Sequence, residues 1–183
     1  MKTAILLIAL VGSCLSTLQA QTSKQLDANN GFKKYKLGSK YQGVYGAKAK
    51  QADGSEIVNI GSNTREKVGD IPVSSIDLVY LNDILSKIIV HFEPHDNSKL
   101  LDALKGSFGQ PSTSSSVTSN DGSTQINKNT WKGSKLNLEY FYGYPKISGS
   151  SNSFEQLRLS YTISDFSAKL ENTKKGKYSA KDF

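Results

Sequence analysis

The chain has 183 residues, 37% of them hydrophobic, a formal net charge of +7 and one cysteine. That length suits one domain, and a lone cysteine excludes an internal disulfide framework. The positive excess is almost all lysine, with arginine only at Arg65 and Arg158. Lysine attracts anionic surfaces in general, whereas arginine provides geometric phosphate recognition, so nucleic acid is not an expected partner.

The N-terminus carries the signature of an export signal. Lys2 precedes an apolar run from Ala4 to Val11, and small or weakly polar residues lead to Ala20. This is the order of a charged, a hydrophobic and a cleavage region, and the run is far shorter than the ~20 residues of a membrane-spanning helix. Residues 1–20 are therefore expected to be a signal peptide and the protein to be periplasmic or secreted, with no transmembrane span. The competing processing site is Val11-Gly12-Ser13-Cys14, which resembles a lipobox and would anchor the chain through a lipid on Cys14. Cleavage after Ala20 leaves 163 residues, with 22 basic against 16 acidic groups. That chain has no cysteine and so no thiolate chemistry. It also has no Asn-x-Ser/Thr glycosylation sequon, which together with the missing disulfides points to a bacterial envelope.

Residues 21–30 are polar and read as a flexible leader. Gly31 to Gly38 alternates Tyr35 and Leu37 with Lys34 and Lys36, the period of a strand. Residues 57–60 suggest another short strand, while Gln42 to Ser55 gives no clear element. The clearest signal is a hairpin: Ile76, Leu78 and Tyr80 on one strand, Asn82-Asp83 at the turn, and Ile88, Val90 and Phe92 on the return, ended by Pro94. A helix follows, capped among Asp96, Asn97 and Ser98, with Leu100, Leu101, Leu104 and Phe108 on one face and a stop at Gly109 and Pro111. Ser112 to Ser123 is rich in serine and threonine and reads as a long surface loop. Two more strands alternate cleanly: Leu136, Leu138, Tyr140 and Tyr142, then Leu157, Leu159, Tyr161 and Ile163. Gly143 to Ser153 reads as a loop between them, and residues 171–183 as a disordered basic tail.

The expected class is α+β: an antiparallel sheet with one short helix packed on one face, long polar loops, and a single domain over residues 31–170. The run Leu104-Lys105-Gly106-Ser107-Phe108-Gly109-Gln110-Pro111, followed by a polar loop and Trp131-Lys132-Gly133 opening a strand, resembles small exported bacterial proteins. In these a helix ending Phe/Tyr-Gly-x-Pro precedes a Trp-x-Gly strand. The resemblance implies the fold and the compartment and no activity.

Candidate chemistry concentrates in two places. His91, Glu93 and His95, with Asp96, form the densest ligand-like cluster, although the spacing matches no recognised metal site and a solvated strand edge running into a helix cap is the favoured account of it. Trp131, Phe141, Tyr142 and Tyr144 lie close in sequence with Lys132, Lys135 and Lys146 beside them. Consecutive aromatics occupy both faces of a strand, so at least one of Phe141 and Tyr140 or Tyr142 is expected on the outer face, where exposed rings can stack on sugars or centre a protein contact, unless the strand is covered on both sides or the rings plug the sheet end. Serines occur without a Gly-x-Ser-x-Gly elbow. Asp77, Glu139 and Glu155 alternate with apolar residues and are expected to face water rather than pair in a cleft.

These features favour an exported, non-enzymatic module that binds an envelope protein or a glycan and needs no cofactor. One alternative is a small metal-dependent hydrolase using His91 and His95. Another is a charge-driven binder of anionic surfaces, including peripheral contact with a membrane, through Lys174, Lys175, Lys177 and Lys181.

Overall fold

The computed structural model describes residues 23–61, 65–93, 97–118, 124–145 and 157–175. Residues 1–20, expected from the sequence to be a signal peptide, lie outside them, and Cys14 with them.

A helix, α1, spans residues 23–29. A tight hairpin follows, β1 (Gly31–Phe32) with β2 (Tyr35–Lys36), then β3 (Ala49–Lys50), β4 (Glu56–Ile60) and β5 (Lys67–Val68). The long hairpin comprises β6 (Ile71–Leu81) and β7 (Ile84–Phe92), and is followed by α2 (Asn97–Phe108). The chain continues through β8 (Thr113–Thr118), β9 (Thr124–Lys132), β10 (Leu136–Pro145), β11 (Arg158–Ile163) and α3 (Phe166–Lys175). All strand pairs are antiparallel, and the main sheet runs β3-β4-β6-β7-β11-β10-β9-β8, with β5 paired beside β6. The class is α+β, as the alternation implies, with three helices rather than one among the described residues.

The two sheet faces follow from side-chain alternation. On the front, Ile76, Val90, Leu159 and Tyr140 form one cross-strand row and Leu78, Ile88, Tyr161, Leu138 and Trp131 the next. Every one of these side chains is buried. Leu100, Leu104 and Phe108 of α2, Leu26 of α1, and Phe32, Tyr35 and Leu37 from the first hairpin belong to the same core. The Phe32 and Tyr161 rings lie 6.1 Å apart across this layer.

Four sequence expectations are corrected here. Residues 23–29 are not a flexible leader: Leu26 is wholly buried, and burying one leucine stabilises by about 1.5–3 kcal/mol. The helix ends at Asn30, which adopts φ 46° and donates its side-chain amide to the Leu37 carbonyl at 3.0 Å. The alternation over residues 31–38 belongs to a hairpin, since Lys33 at φ 50° turns the chain between β1 and β2. Within the segment expected as a long loop, residues 113–118 form β8, which pairs with β9 over six positions and leaves its side chains exposed. Residues 171–175, assigned to the tail, complete α3; residues 176–183 lie outside the described ones.

Other expectations hold in detail. Asn82 and Asp83 both take positive φ at the hairpin turn, and Gly109 takes φ 71° after α2. Among the described residues, no helix is long and apolar enough to cross a membrane.

Candidate functional site

The back face of the sheet carries the polar half of each alternating strand. One row crosses it as Ser75, His91, Arg158, Phe141, Lys128 and Ser115 on six successive strands. The next row reads Asn59, Asp77, Ile89, Ser160, Glu139 and Thr130. Toward the β6–β7 turn, α3 covers this face: the Lys87 ammonium lies 5.7 Å from the Phe166 ring centroid. Burial holds that ammonium below the usual lysine range. The rows centred on Phe141 carry half-buried side chains, among them His91, Arg158, Phe141 and Lys128.

Phe141 is held between two cations. The Arg158 guanidinium carbon is 4.5 Å from its ring centroid and the Lys128 ammonium 5.4 Å. Cation–π contacts at exposed sites contribute about 0.5–1 kcal/mol each, enough to bias the rotamers of both long side chains. Lys128 also pairs with Glu139 at 2.5 Å. Arg158 has no carboxylate partner among the described residues, so its planar donor fork stays available beside the ring.

His91 meets Asp77 on the back face. Its Nε2 lies 2.9 Å from Asp77 Oδ2, and Asn59 donates its amide to Asp77 Oδ1 at 2.5 Å. Burial raises the Asp77 carboxyl, but hydrogen bonds from His91 and Asn59 outweigh it and hold the group below the ordinary aspartate value. Asp77 is therefore an engaged, mostly buried carboxylate, not the solvated one that alternation implied. Glu93 follows β7 and is exposed, its backbone N–H donating to the Pro72 carbonyl at 3.4 Å. His95 and Glu155 lie outside the described residues. Among the described residues no group of three or more His, Cys, Asp or Glu side chains is placed to hold a metal ion.

The aromatic segment divides between the faces. Phe141 is on the back, and Tyr142 is on the front, stacked on Tyr140 at 5.1 Å. Trp131 does not belong to a surface: it is 3% exposed and donates its indole N–H to the Gly109 carbonyl at 2.8 Å. This bond joins the end of α2 to β9 and corrects the expectation that Trp131 contributes to an outer patch. The backbone of Tyr144 pairs with Gln125, and its side chain lies outside the described ones. The missing members of the patch, Lys128 and Arg158, sit on the strands before and after β10. Only the register of β9, β10 and β11 brings them together.

Comparison with protein-family models, with curated proteins and with solved structures finds no match for this chain.

Proposed function

We propose that this protein is an exported, non-catalytic binding module. It acts in the bacterial envelope or outside the cell, and the back face of its sheet recognises a protein or glycan partner bearing an acidic group. The observation that carries this reading is Phe141 held between Arg158 and Lys128 on adjacent strands. A half-buried ring supplies apolar contact area at small entropic cost, and an uncommitted guanidinium beside it supplies a planar fork for a carboxylate or sulfate. Strands paired on both sides fix both groups, so little ordering is required on binding. The positive balance of the chain would assist encounter with acidic partners.

The test is capture from a native envelope extract by the immobilised protein and by a Phe141→Ala/Arg158→Ala variant. A defined partner retained by the parent and lost by the folded variant is expected. Equal retention by both would overturn the proposal.

A further inference from the structure

A second site lies on the opposite face of the sheet, at its outer end. Tyr140, Asn129 and Ser114 form one front row across β10, β9 and β8, and Tyr142, Asn127 and Ser116 the next. Here a cleft of about 280 Å³ opens, its front-face lining being Ser114, Ser116, Asn127, Asn129 and Tyr142.

The unusual member is Asn129. It is 7% exposed, and its side-chain oxygen accepts the Ser114 hydroxyl at 2.7 Å. The other end of the amide has no partner among the described residues. Whichever way the amide is turned, Ser114 engages one end, and the residue as a whole lines the cleft. A buried polar group left in this condition is costly and uncommon, and calls for a partner from outside the chain.

We propose that this cleft binds a neutral saccharide unit. Among the described residues no charged side chain lines it, so an ionic ligand would be desolvated there without a counter-charge. A purely apolar ligand would leave the asparagine amides unpaired. A sugar ring fits both constraints, because each hydroxyl donates and accepts while the C–H face packs on an aromatic ring. The lining matches in kind. Asn127 and Asn129 offer donors and acceptors, and Ser116 Oγ accepts from Gln125 at 2.7 Å, which leaves its hydrogen to donate. Tyr142 offers a ring fixed by stacking on Tyr140, with 28° between their planes. The volume lies near the lower end for ligand pockets, which suits one or two rings rather than a long chain. Phe141 and Tyr142 project from opposite faces of β10, so this site is separate from the cationic patch.

The experiment is a nuclear magnetic resonance titration of isotope-labelled protein with maltotriose, cellotriose and N,N′-diacetylchitobiose. It follows the side-chain amides of Asn127 and Asn129 and the ring of Tyr142. Saturable shifts confined to these groups are expected with at least one probe. Asn127→Ala, at a half-buried position, should weaken that binding about tenfold without moving the urea midpoint. Asn129→Ala should weaken it further, and Phe141→Ala should leave it unchanged, which separates this site from the back-face patch. The absence of saturable shifts with all three probes would mean that the cleft holds ordered water only and would overturn the proposal. Equal binding by Asn127→Ala and the parent would do the same.

Discussion

Asp27 and Ser134, separated by 107 positions in sequence, are joined by two hydrogen bonds. Asp27 Oδ2 accepts the Ser134 backbone N–H at 2.9 Å and its hydroxyl at 2.6 Å. Oδ1 accepts the backbone N–H groups of Lys135 at 2.9 Å and Leu136 at 3.3 Å. One carboxylate thus ties α1 to the turn that starts β10, the strand bearing both candidate sites. Replacing it leaves several turn donors without their acceptor, so Asp27→Ala should remove about 2–3 kcal/mol of stability. Urea unfolding measures this directly. A loss under about 0.5 kcal/mol, the range of ordinary surface substitutions, would contradict the assignment.

The same carboxylate sets an acid limit. Burial raises the Asp27 carboxyl, but the hydrogen bonds from Ser134, Lys135 and Leu136 together hold it below the usual aspartate value. Asp77 is held low in the same manner by His91 and Asn59. A carboxyl with a lower pKa folded than unfolded contributes its full stabilisation above the unfolded value. That contribution falls away as pH drops through the folded value. Stability should therefore decline from about pH 4 downward on account of these two groups. An Asp27→Asn/Asp77→Asn variant should be less stable at neutral pH and show a flatter decline in acid. Parallel urea midpoints for parent and variant between about pH 6 and about pH 2.5 would refute this.

Gly133 is fixed by the same contact. A side-chain carbon there would overlap the Asp27 carboxylate and approach the Leu136 carbonyl oxygen to 2.9 Å. Gly133→Ala should force α1 from its seat and cost about 2 kcal/mol or more, a size expected only where strain or a broken network is involved. Thermal unfolding measures it. In an Asp27→Ala background the added cost of Gly133→Ala should shrink, because the two residues share one contact.

Trp131 supports the core instead of a binding surface. Trp131→Phe keeps an aromatic ring but loses the bond to Gly109, and should cost about 1 kcal/mol. Trp131→Ala also opens a cavity and should cost about 3–5 kcal/mol. Denaturant unfolding of the pair checks both values, and near-equal small losses would return Trp131 to the surface.

The main elements were legible where one physical signal dominated. Alternation located β6, β7, β10 and β11 and implied that the consecutive aromatics of β10 divide between its two faces, and apolar spacing with a glycine stop located α2. The sequence reading failed where structure depended on distant partners. Residues 23–29 are polar apart from Leu26 and Ala28, and the burial of Leu26 together with the carboxylate of Asp27 meeting residues 134–136 explains their order. β8 has almost no apolar residue, so it carries no periodic signal and exists by pairing with β9. Arg158 and Asn129 gave no cue on their own, because their roles arise from register with Phe141 and Tyr140.

The most direct test of the binding reading places a photo-crosslinking aromatic amino acid at position 141, and at the exposed position 50 on the far sheet edge as a control. Each protein is irradiated in a native envelope extract. The reading predicts a defined crosslinked product from position 141, absent from position 50 and suppressed when Arg158→Ala is added. No product at position 141, or the same products from both positions, would contradict it.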